Sequence, residues 1–186
     1  MIMLSRRGFI SASAAMCVSP AAINAADSIQ LREELEAQAN SALHFLIQNF
    51  PSTQDLVTNS AGFLIVPVIT QGALLLGAAV GDGVLRTNGK TAGYYTAMQV
   101  NIGLQISARQ YSQAVFFLNE AALKRFADSR KWRFGAGMRY VVLKDTQGSS
   151  YDSLTRHADV AGMSFGNSGL YIGASLEGTR YTPLEG

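Results

Sequence analysis

The residues best suited to a chemical role form a basic cluster near position 130. Between 124 and 133 five basic side chains stand against Asp128 alone, a local net charge of +4, and the chain's single tryptophan lies among them; the cluster comprises Lys124, Arg125, Arg130, Lys131, Trp132 and Arg133. Near an anionic membrane such residues attract lipid phosphates at about 1 kcal/mol each, and tryptophan prefers the membrane interface. Basic residues at a helix C-terminus are also stabilised by the helix dipole, so charge alone leaves a headgroup site and a structural role equally open.

A second candidate is a serine flanked by glycines. The segment Gly162-Met163-Ser164-Phe165-Gly166 matches the nucleophile-elbow pattern G-x-S-x-G. That pattern requires a strand–turn–helix context, with an acid and then a histidine later in the chain. Both histidines, His44 and His157, precede Ser164, so we predict a glycine-rich hairpin here and no serine hydrolase.

Two further groupings fall short of a cofactor or metal site. Gly81-Asp82-Gly83 lacks the third glycine of a dinucleotide-binding loop and reads as a turn or bulge. Asp152, His157 and Asp159 lie in or beside a polar loop, where we expect them to be solvated rather than to bind a metal. We therefore expect no catalytic residues, no cofactor and no metal.

Glu177 is expected to have a structural role. It follows an apolar strand, and Gly178 after it leaves room for the close approach of another backbone. A buried arginine would be a suitable partner, with Arg139 and Arg109 as candidates. No second carboxylate or histidine lies near it in sequence, so acid–base catalysis is not predicted.

The first 26 residues have the character of an export signal. A basic start, Ser5-Arg6-Arg7-Gly8-Phe9-Ile10, precedes a short apolar run and a small-residue end from Pro20 to Ala26. The paired arginines resemble a twin-arginine signal, so we predict a periplasmic protein cleaved near Ala25 or Ala26. Cys17 is a weaker candidate for lipid attachment, because Met16 directly before it is a poor match.

The mature chain predicted by this cleavage is nearly neutral. The sequence holds 15 Lys and Arg and 13 Asp and Glu, and only Arg6 and Arg7 leave with the signal, so 13 of each sign remain. A neutral chain gives no reason to expect nucleic acid as a partner. With one cysteine, no internal disulfide forms, and residues 27–186 are long enough for a single domain with its own core.

The apolar stretch from Ser60 to Leu85 must organise that core. It carries no charge before Asp82, and about 20 apolar residues would suffice for a membrane-spanning helix. Against a helix, Pro67 removes a hydrogen bond, and Thr70-Gln71-Gly72 is typical of a turn. We predict two buried strands instead, 62–69 and 73–80, with Pro67 and Gly72 in structural roles.

Three helices and several further strands are predicted around this pair. The helices span 27–49, with a cap at Asp27 or Ser28, then 52–60, and 120 to about 130, with a cap at Asn119. Asn88-Gly89 is a strong hairpin signal, and further strands are predicted at 114–118, 133–143, 158–165 and 170–176. The pattern indicates an α+β domain with an antiparallel barrel-like or strongly curled sheet.

The clearest alternation in the chain runs from 96 to 108. Met98 and Val100 belong to an apolar series with Ile102, Leu104 and Ile106, and the opposite series holds Gln99, Asn101 and Gln105. Such alternation predicts a half-buried strand with its apolar series toward the core. The uncharged amides of the other series are typical of a barrel lumen or a wet groove.

Several of these elements, taken in order, resemble the lipid-binding SYLF domain, also described as the yeast-type actin-binding domain. The resemblance covers roughly residues 40–182. It is carried by Ala61-Gly62-Phe63 before the strand with Pro67, by Gly72 and Gly77, by Gly81-Asp82-Gly83-Val84, by Gly103-Leu104-Gln105, by 115–119 with Ala122-Leu123 and Phe126, and by Gly169-Leu170-Tyr171-Ile172-Gly173-Ala174-Ser175-Leu176-Glu177-Gly178.

The resemblance implies binding to anionic phospholipid without catalysis, and a structural role for Gly173. Two departures, Tyr94-Tyr95-Thr96-Ala97 and Asn101, place the chain among divergent exported bacterial members, for which we expect no actin partner. The basic cluster is then the expected headgroup site. The alternative is an envelope scaffold that binds another protein through an exposed sheet edge.

Overall fold

The computed structural model describes residues 20–74, 78–100, 110–143, 151–166, 169–170 and 176–184. Within these ranges the chain forms four helices and nine strands. Their order is α1 (Pro20–Asn49), α2 (Thr53–Asn59), β1 (Gly62–Leu74), β2 (Ala78–Thr87), β3 (Lys90–Val100), β4 (Gln110–Phe117), α3 (Glu120–Ala127), β5 (Trp132–Arg133), β6 (Tyr140–Val142), α4 (Tyr151–His157), β7 (Val160–Gly166), β8 (Gly169–Leu170) and β9 (Arg180–Pro183).

The strands form one sheet that curls into half a barrel. The order across it is β5-β9-β3-β2-β1-β4-β7-β6, and β8 pairs with β7 outside that path. Among the described strand pairs, β6 and β7 run parallel and all the others are antiparallel. The predicted α+β class and curled antiparallel sheet are confirmed, with four helices where about three were predicted.

Each face of the sheet carries its own hydrophobic core. Alternation along β4 shows this: Ala114 and Phe116 pack with α1, α2 and α4, whereas Val115 and Phe117 pack with α3. We call the first side the α1 face and the second the α3 face. Because strand side chains alternate between faces, the face of any residue follows from a paired neighbour of known position.

The apolar stretch is buried by the sheet itself. β1 and β2 pair antiparallel in the middle of the sheet, so the prediction of two paired strands is confirmed. The bounds predicted for the second strand, 73–80, are wrong, because β1 continues to Leu74 and β2 spans Ala78–Thr87. The predicted turn at Thr70–Gly72 is wrong, because Thr70 and Gln71 pair with Val80 and Ala79 within the ladder. The connection lies at 75–77, outside the described residues. No helix among the described residues has the length and apolar character needed to cross a bilayer.

Pro67 marks an irregularity in β1 rather than its end. The register of β1 shifts between Ile65 and Thr70 against β2, and between Val66 and Ile69 against β4. A proline has no N–H to donate, so a central strand accommodates it only at such a bulge. The Pro67 carbonyl still accepts a hydrogen bond of 2.6 Å from the Ser112 hydroxyl on β4.

The same bulge explains Gly81 and Gly83, which lie inside β2 and form no turn. Gly81 pairs with Ala97 on β3. A Cβ on Gly81 would approach the Val68 carbonyl oxygen to 2.2 Å, and one on Gly83 would lie 2.7 Å from the Ile65 carbonyl oxygen. Both glycines are needed because the bulged backbone of β1 comes so close.

Of the predicted local signals, the Asn88-Gly89 turn and the Asn119 cap are confirmed. Asn88 and Gly89 both have positive φ, 51° and 73°, and connect β2 to β3 in register. The Asn119 side chain accepts a 2.9 Å hydrogen bond from the Ala122 amide and caps α3. The predicted caps at Asp27 and Ser28 are wrong, because α1 continues through them from Pro20.

The C-terminal third differs most from prediction. The single strand predicted over 133–143 is two short strands, β5 and β6, separated by turns in which Gly135 and Gly137 have positive φ. Tyr151–His157 is helical, where a polar loop was predicted, and β9 was not predicted. The hairpin of β7 and β8 is confirmed by the pairing of Phe165 with Leu170.

One polar cluster fixes α1 to the β2–β3 hairpin. The Glu36 carboxylate accepts hydrogen bonds from Arg86 at 2.5 Å, from the Thr91 hydroxyl at 2.6 Å and from the Tyr94 hydroxyl at 3.1 Å. Arg86 also donates to the Asn40 side chain at 2.8 Å. Burial, and then the hydrogen bond to Glu36, raise the pKa of Tyr94. Glu36 therefore anchors α1 to the sheet.

Candidate functional site

The basic cluster extends from the end of α3, through the turn that follows it, to the edge strand β5. Lys124 and Arg125 occupy the last turn of α3, Arg130 and Lys131 lie in the following turn, and Arg133 belongs to β5, the edge strand. All five side chains are exposed. We call these five residues the basic edge.

Little within the segment neutralises this charge. Lys124 forms an ion pair of 2.9 Å with Asp128, and both side chains are largely exposed, so the pair contributes little to stability. The hydrogen bond to Asp128 raises the pKa of Lys124 and keeps its ammonium charged. Arg125 donates to the Gly137 carbonyl at 3.1 Å, which holds its guanidinium beside the turn without cancelling its charge.

Trp132 does not share this exposure. Only 7% of its surface is accessible, and its ring contacts an aromatic cluster of Phe117, Phe126, Phe134 and Tyr181 at centroid distances of 5.3–6.0 Å. It pairs with Tyr181 on β9, so both rings point into the α3 face. An interfacial position for Trp132 does not agree with this burial. Sequence could not distinguish an interfacial tryptophan from a core one between basic neighbours.

A further basic residue joins the edge through strand pairing. Arg180 on β9 lies directly opposite Arg133 on β5, and both are exposed. Their neighbours Trp132 and Tyr181 fill the α3 face, so the two arginines project from the α1 face. Neither guanidinium forms an ion pair or hydrogen bond with a described residue. The two residues are 47 positions apart in sequence, and the sequence gave no signal of this pairing.

Apolar residues lie beside Arg180 on the α1 face of the sheet. Arg180 pairs with Met98 on β3, and Met98 pairs with Val80 on β2. Met98 and Val100 keep 40% and 66% of their surface exposed, whereas Gln99 between them is 6% exposed. The prediction that the apolar series of this strand faces the core is therefore wrong over 98–100. Residues 101–109, which carry the rest of the predicted series, lie outside the described ranges.

This inversion places Gln99 among buried polar groups of the α3 face. Gln99 points to the α3 face and accepts a hydrogen bond of 3.4 Å from the Tyr111 hydroxyl. Tyr181 on the same face donates to Gln113 at 3.1 Å. Burial strongly raises the pKa of Tyr181 and keeps its hydroxyl protonated as a donor. The barrel lumen or wet groove predicted for the amide series stays a prediction, because Asn101 and Gln105 lie outside the described residues.

A groove separates the middle of α1 from the sheet. It has a volume of about 380 Å³ and lies between Leu31 and Leu35 of the helix and Val68 of the β1 bulge, with Asp82 and Leu184 at its border. Ile29, Leu31 and Val68 remain exposed. Val68 belongs to the α1 face, as Met98 and Val100 do, so apolar side chains occur on this face from α1 to β3.

The remaining predicted residues have local structural partners or lie outside the described ranges. Glu177 is exposed and accepts a hydrogen bond of 3.0 Å from the Tyr140 hydroxyl, which raises the pKa of that tyrosine. Pairing of Glu177 with Arg139 is wrong, because Arg139 binds Asp159 at 3.0 Å. Gly72 lies within β1, and Gly173 and Arg109 are outside the described residues.

The candidate catalytic and metal-binding residues do not form a described site. Ser164 is buried in the middle of β7, paired with Gln113, and no elbow exists there. Asp159 accepts hydrogen bonds from Arg139 and from Asn119, and the first of these lowers its pKa. Among the described residues, no group of three or more His, Cys, Asp and Glu could hold a metal ion.

Comparison with known proteins adds no assignment. No protein-family model matches the chain, and no curated protein matches it either. The resemblance to the SYLF domain therefore stays a prediction, and functional proposals rest on the residues and their placement.

Proposed function

We propose that this is an exported, periplasmic phospholipid-binding protein that associates with anionic headgroups through the basic edge, without catalysis. The observation that carries the proposal is the exposure of Lys124, Arg125, Arg130, Lys131 and Arg133 around one sheet edge, with Asp128 as the only acidic residue in the segment. The twin-arginine-like residues 5–10 and the resemblance to the SYLF domain support the same assignment.

The driving force is electrostatic attraction between this edge and a charged surface. Each basic residue within a Debye length of an anionic membrane contributes about 1 kcal/mol, so the edge has enough charge for reversible binding. The mature chain is nearly neutral overall, so this attraction depends on local segregation of charge and not on the protein's net charge.

An envelope scaffold that binds a protein by strand addition is less well supported. Strand addition needs a long free edge with unpaired backbone groups. In the described part of the chain the sheet path ends in β5, of two residues, and β6, of three residues, and short edges of this kind discourage pairing with another strand.

Vesicle binding by a charge variant tests the proposal. We expect the exported chain to bind vesicles that contain phosphatidylglycerol, and we expect replacement of all five basic-edge residues by glutamine to abolish that binding. Lys90→Gln combined with Arg156→Gln is a suitable control, since both residues are exposed and lie outside the basic edge. Retention of binding by the fivefold variant would contradict the electrostatic mechanism.

A strand-addition scaffold gives a different pattern in the same experiment. It predicts that neither the native chain nor the variants bind vesicles. It also predicts that an envelope protein captured by the native chain is captured equally by the fivefold variant, because main-chain pairing does not depend on those charges.

A further inference from the structure

We propose that the α1 face at the β5 edge is the surface that contacts the membrane, with Arg133 and Arg180 at the lipid phosphates and Met98 and Val100 against the apolar region beneath them. This inference rests on the proposed function and specifies which side of the basic edge faces the bilayer. It also supplies the apolar contact that Trp132, being buried, does not provide.

The two arginines form an unusual pair. Directly opposite residues of an antiparallel pair have Cβ atoms about 4.5–5.5 Å apart, and like charges in this position are destabilising. Arg133 and Arg180 occupy such positions, and no described carboxylate pairs with either. An anionic group between them would remove the repulsion, and a phosphate accepts hydrogen bonds from arginine in a bidentate geometry.

The apolar residues lie directly beside this pair. Met98 is the cross-strand partner of Arg180, and Val100 lies two residues further along β3 on the same face. Both are exposed although buried Gln99 separates them in sequence, so their outward position is a property of the fold. A face that places cations and exposed aliphatic side chains side by side fits the boundary between headgroups and acyl chains.

The α3 side of the basic edge does not place cations beside exposed aliphatic side chains. Lys124 and Arg125 project from α3, where the apolar side chains of Phe126 and Ala122 are buried against the α3 face. Lys124 is also paired with Asp128. Attraction there is electrostatic only, so the two sides of the basic edge predict different responses to mutation.

A pair of double variants with equal charge tests the inference. In Arg133→Gln/Arg180→Gln we expect the partition coefficient onto phosphatidylglycerol-containing vesicles to fall about 25-fold, since each charge near the surface accounts for about fivefold. In Lys124→Gln/Arg125→Gln we expect a loss of less than about fivefold. Equal losses, or a larger loss in the second variant, would overturn the assignment of the α1 face.

A third variant tests the apolar contact without changing charge. Met98→Gln/Val100→Thr should reduce vesicle binding several-fold at both low and high salt, because apolar contact is not screened. An unchanged partition coefficient would overturn the apolar part of the inference. Emission from Trp132 confirms that each variant is folded, because all the substituted positions are exposed and the indole is in the core.

Two other outcomes separate this inference from its alternatives. Soluble glycerol phosphate that binds as tightly as vesicles would show an anion site without membrane contact and would overturn the docking surface. No vesicle binding by the native chain would overturn the proposed function itself. If the Arg133→Gln/Arg180→Gln variant still binds vesicles as well as the native chain does, this inference alone is overturned.

Discussion

Replacement of Glu36 by glutamine is expected to weaken the attachment of α1 to the sheet. The carboxylate receives three hydrogen bonds from the β2–β3 hairpin, one of them from the Arg86 guanidinium. A glutamine carbonyl can still accept from Thr91 and Tyr94, but its amide group would face Arg86 and cannot accept a hydrogen bond. The change therefore removes one charge-assisted hydrogen bond and leaves the other two.

The size of the effect follows from the exposure of the pair. A hydrogen bond to a charged group contributes about 1.5–3 kcal/mol, and solvent reduces this because Arg86 and Glu36 keep 18% and 24% of their side-chain surface exposed. We expect the free energy of unfolding to fall by about 1–2 kcal/mol. With a urea slope of about 2 kcal/mol per molar, the midpoint would move by about 0.5–1 M.

Urea unfolding followed by the emission of Trp132 measures this change. Glu33→Gln is the matched control, because Glu33 lies on the same helix, is exposed and carries the same charge; its effect should stay below about 0.5 kcal/mol. A double-mutant cycle with Arg86→Gln should give a coupling energy of about 1 kcal/mol. A Glu36 effect no larger than that of Glu33, or a coupling near zero, would refute this account of the helix anchor.

Three further predictions concern the core and the acid stability. Trp132 should show blue-shifted emission, resist quenching by iodide and remain unchanged when vesicles are added; a large shift on vesicle binding would contradict its place in the core. Gly162→Ala should lower the free energy of unfolding by about 1–3 kcal/mol in urea, because a Cβ there would lie 2.7 Å from an aromatic carbon, whereas Gly166→Ala, with its nearest atom 4.0 Å away, should be near neutral. Asp159 has a lowered pKa through Arg139, so its ionised form stabilises the fold above the ordinary value of 3.8 and this contribution is lost as the pH falls below it. Asp159→Asn should therefore flatten the fall in stability between pH 5 and pH 2, and an unchanged slope in an acid titration would contradict the pairing.

Sequence predicted the features that depend on adjacent residues. The Asn88-Gly89 turn needs positive φ at both positions, and Asn119 caps the helix that begins at the next residue, so each signal is complete within a few positions. The buried pair β1 and β2 was predictable because a long uncharged run with proline and glycine fits two strands better than one helix.

Features set by long-range pairing were not predictable in this way. Alternation over 96–100 predicts a strand with its apolar series toward the core, but here the fold buries Gln99 beside Tyr111 and leaves Met98 exposed. Thr70-Gln71-Gly72 has turn composition, yet its first two residues continue the ladder because β2 offers partners on that side.

The candidate site shows the same division. The basic cluster was visible in sequence because its members lie within ten residues of one another, from 124 to 133. Arg180 became part of it only through the pairing of β9 with β5, and Trp132 left it through the same pairing, which turns the indole toward Tyr181. Strand pairing and alternation thus decide which side chains are exposed together in the cluster, and closeness in sequence does not reveal this.

The central claim, that charge on the basic edge brings the protein to an anionic membrane, is tested most directly by co-sedimentation with two kinds of vesicle. One contains phosphatidylcholine alone and the other contains phosphatidylcholine with phosphatidylglycerol. We predict that the native chain sediments with the second kind only, and that the bound fraction falls as salt is raised, since salt screens exposed charges. Equal sedimentation with both kinds, or with neither, would contradict the claim.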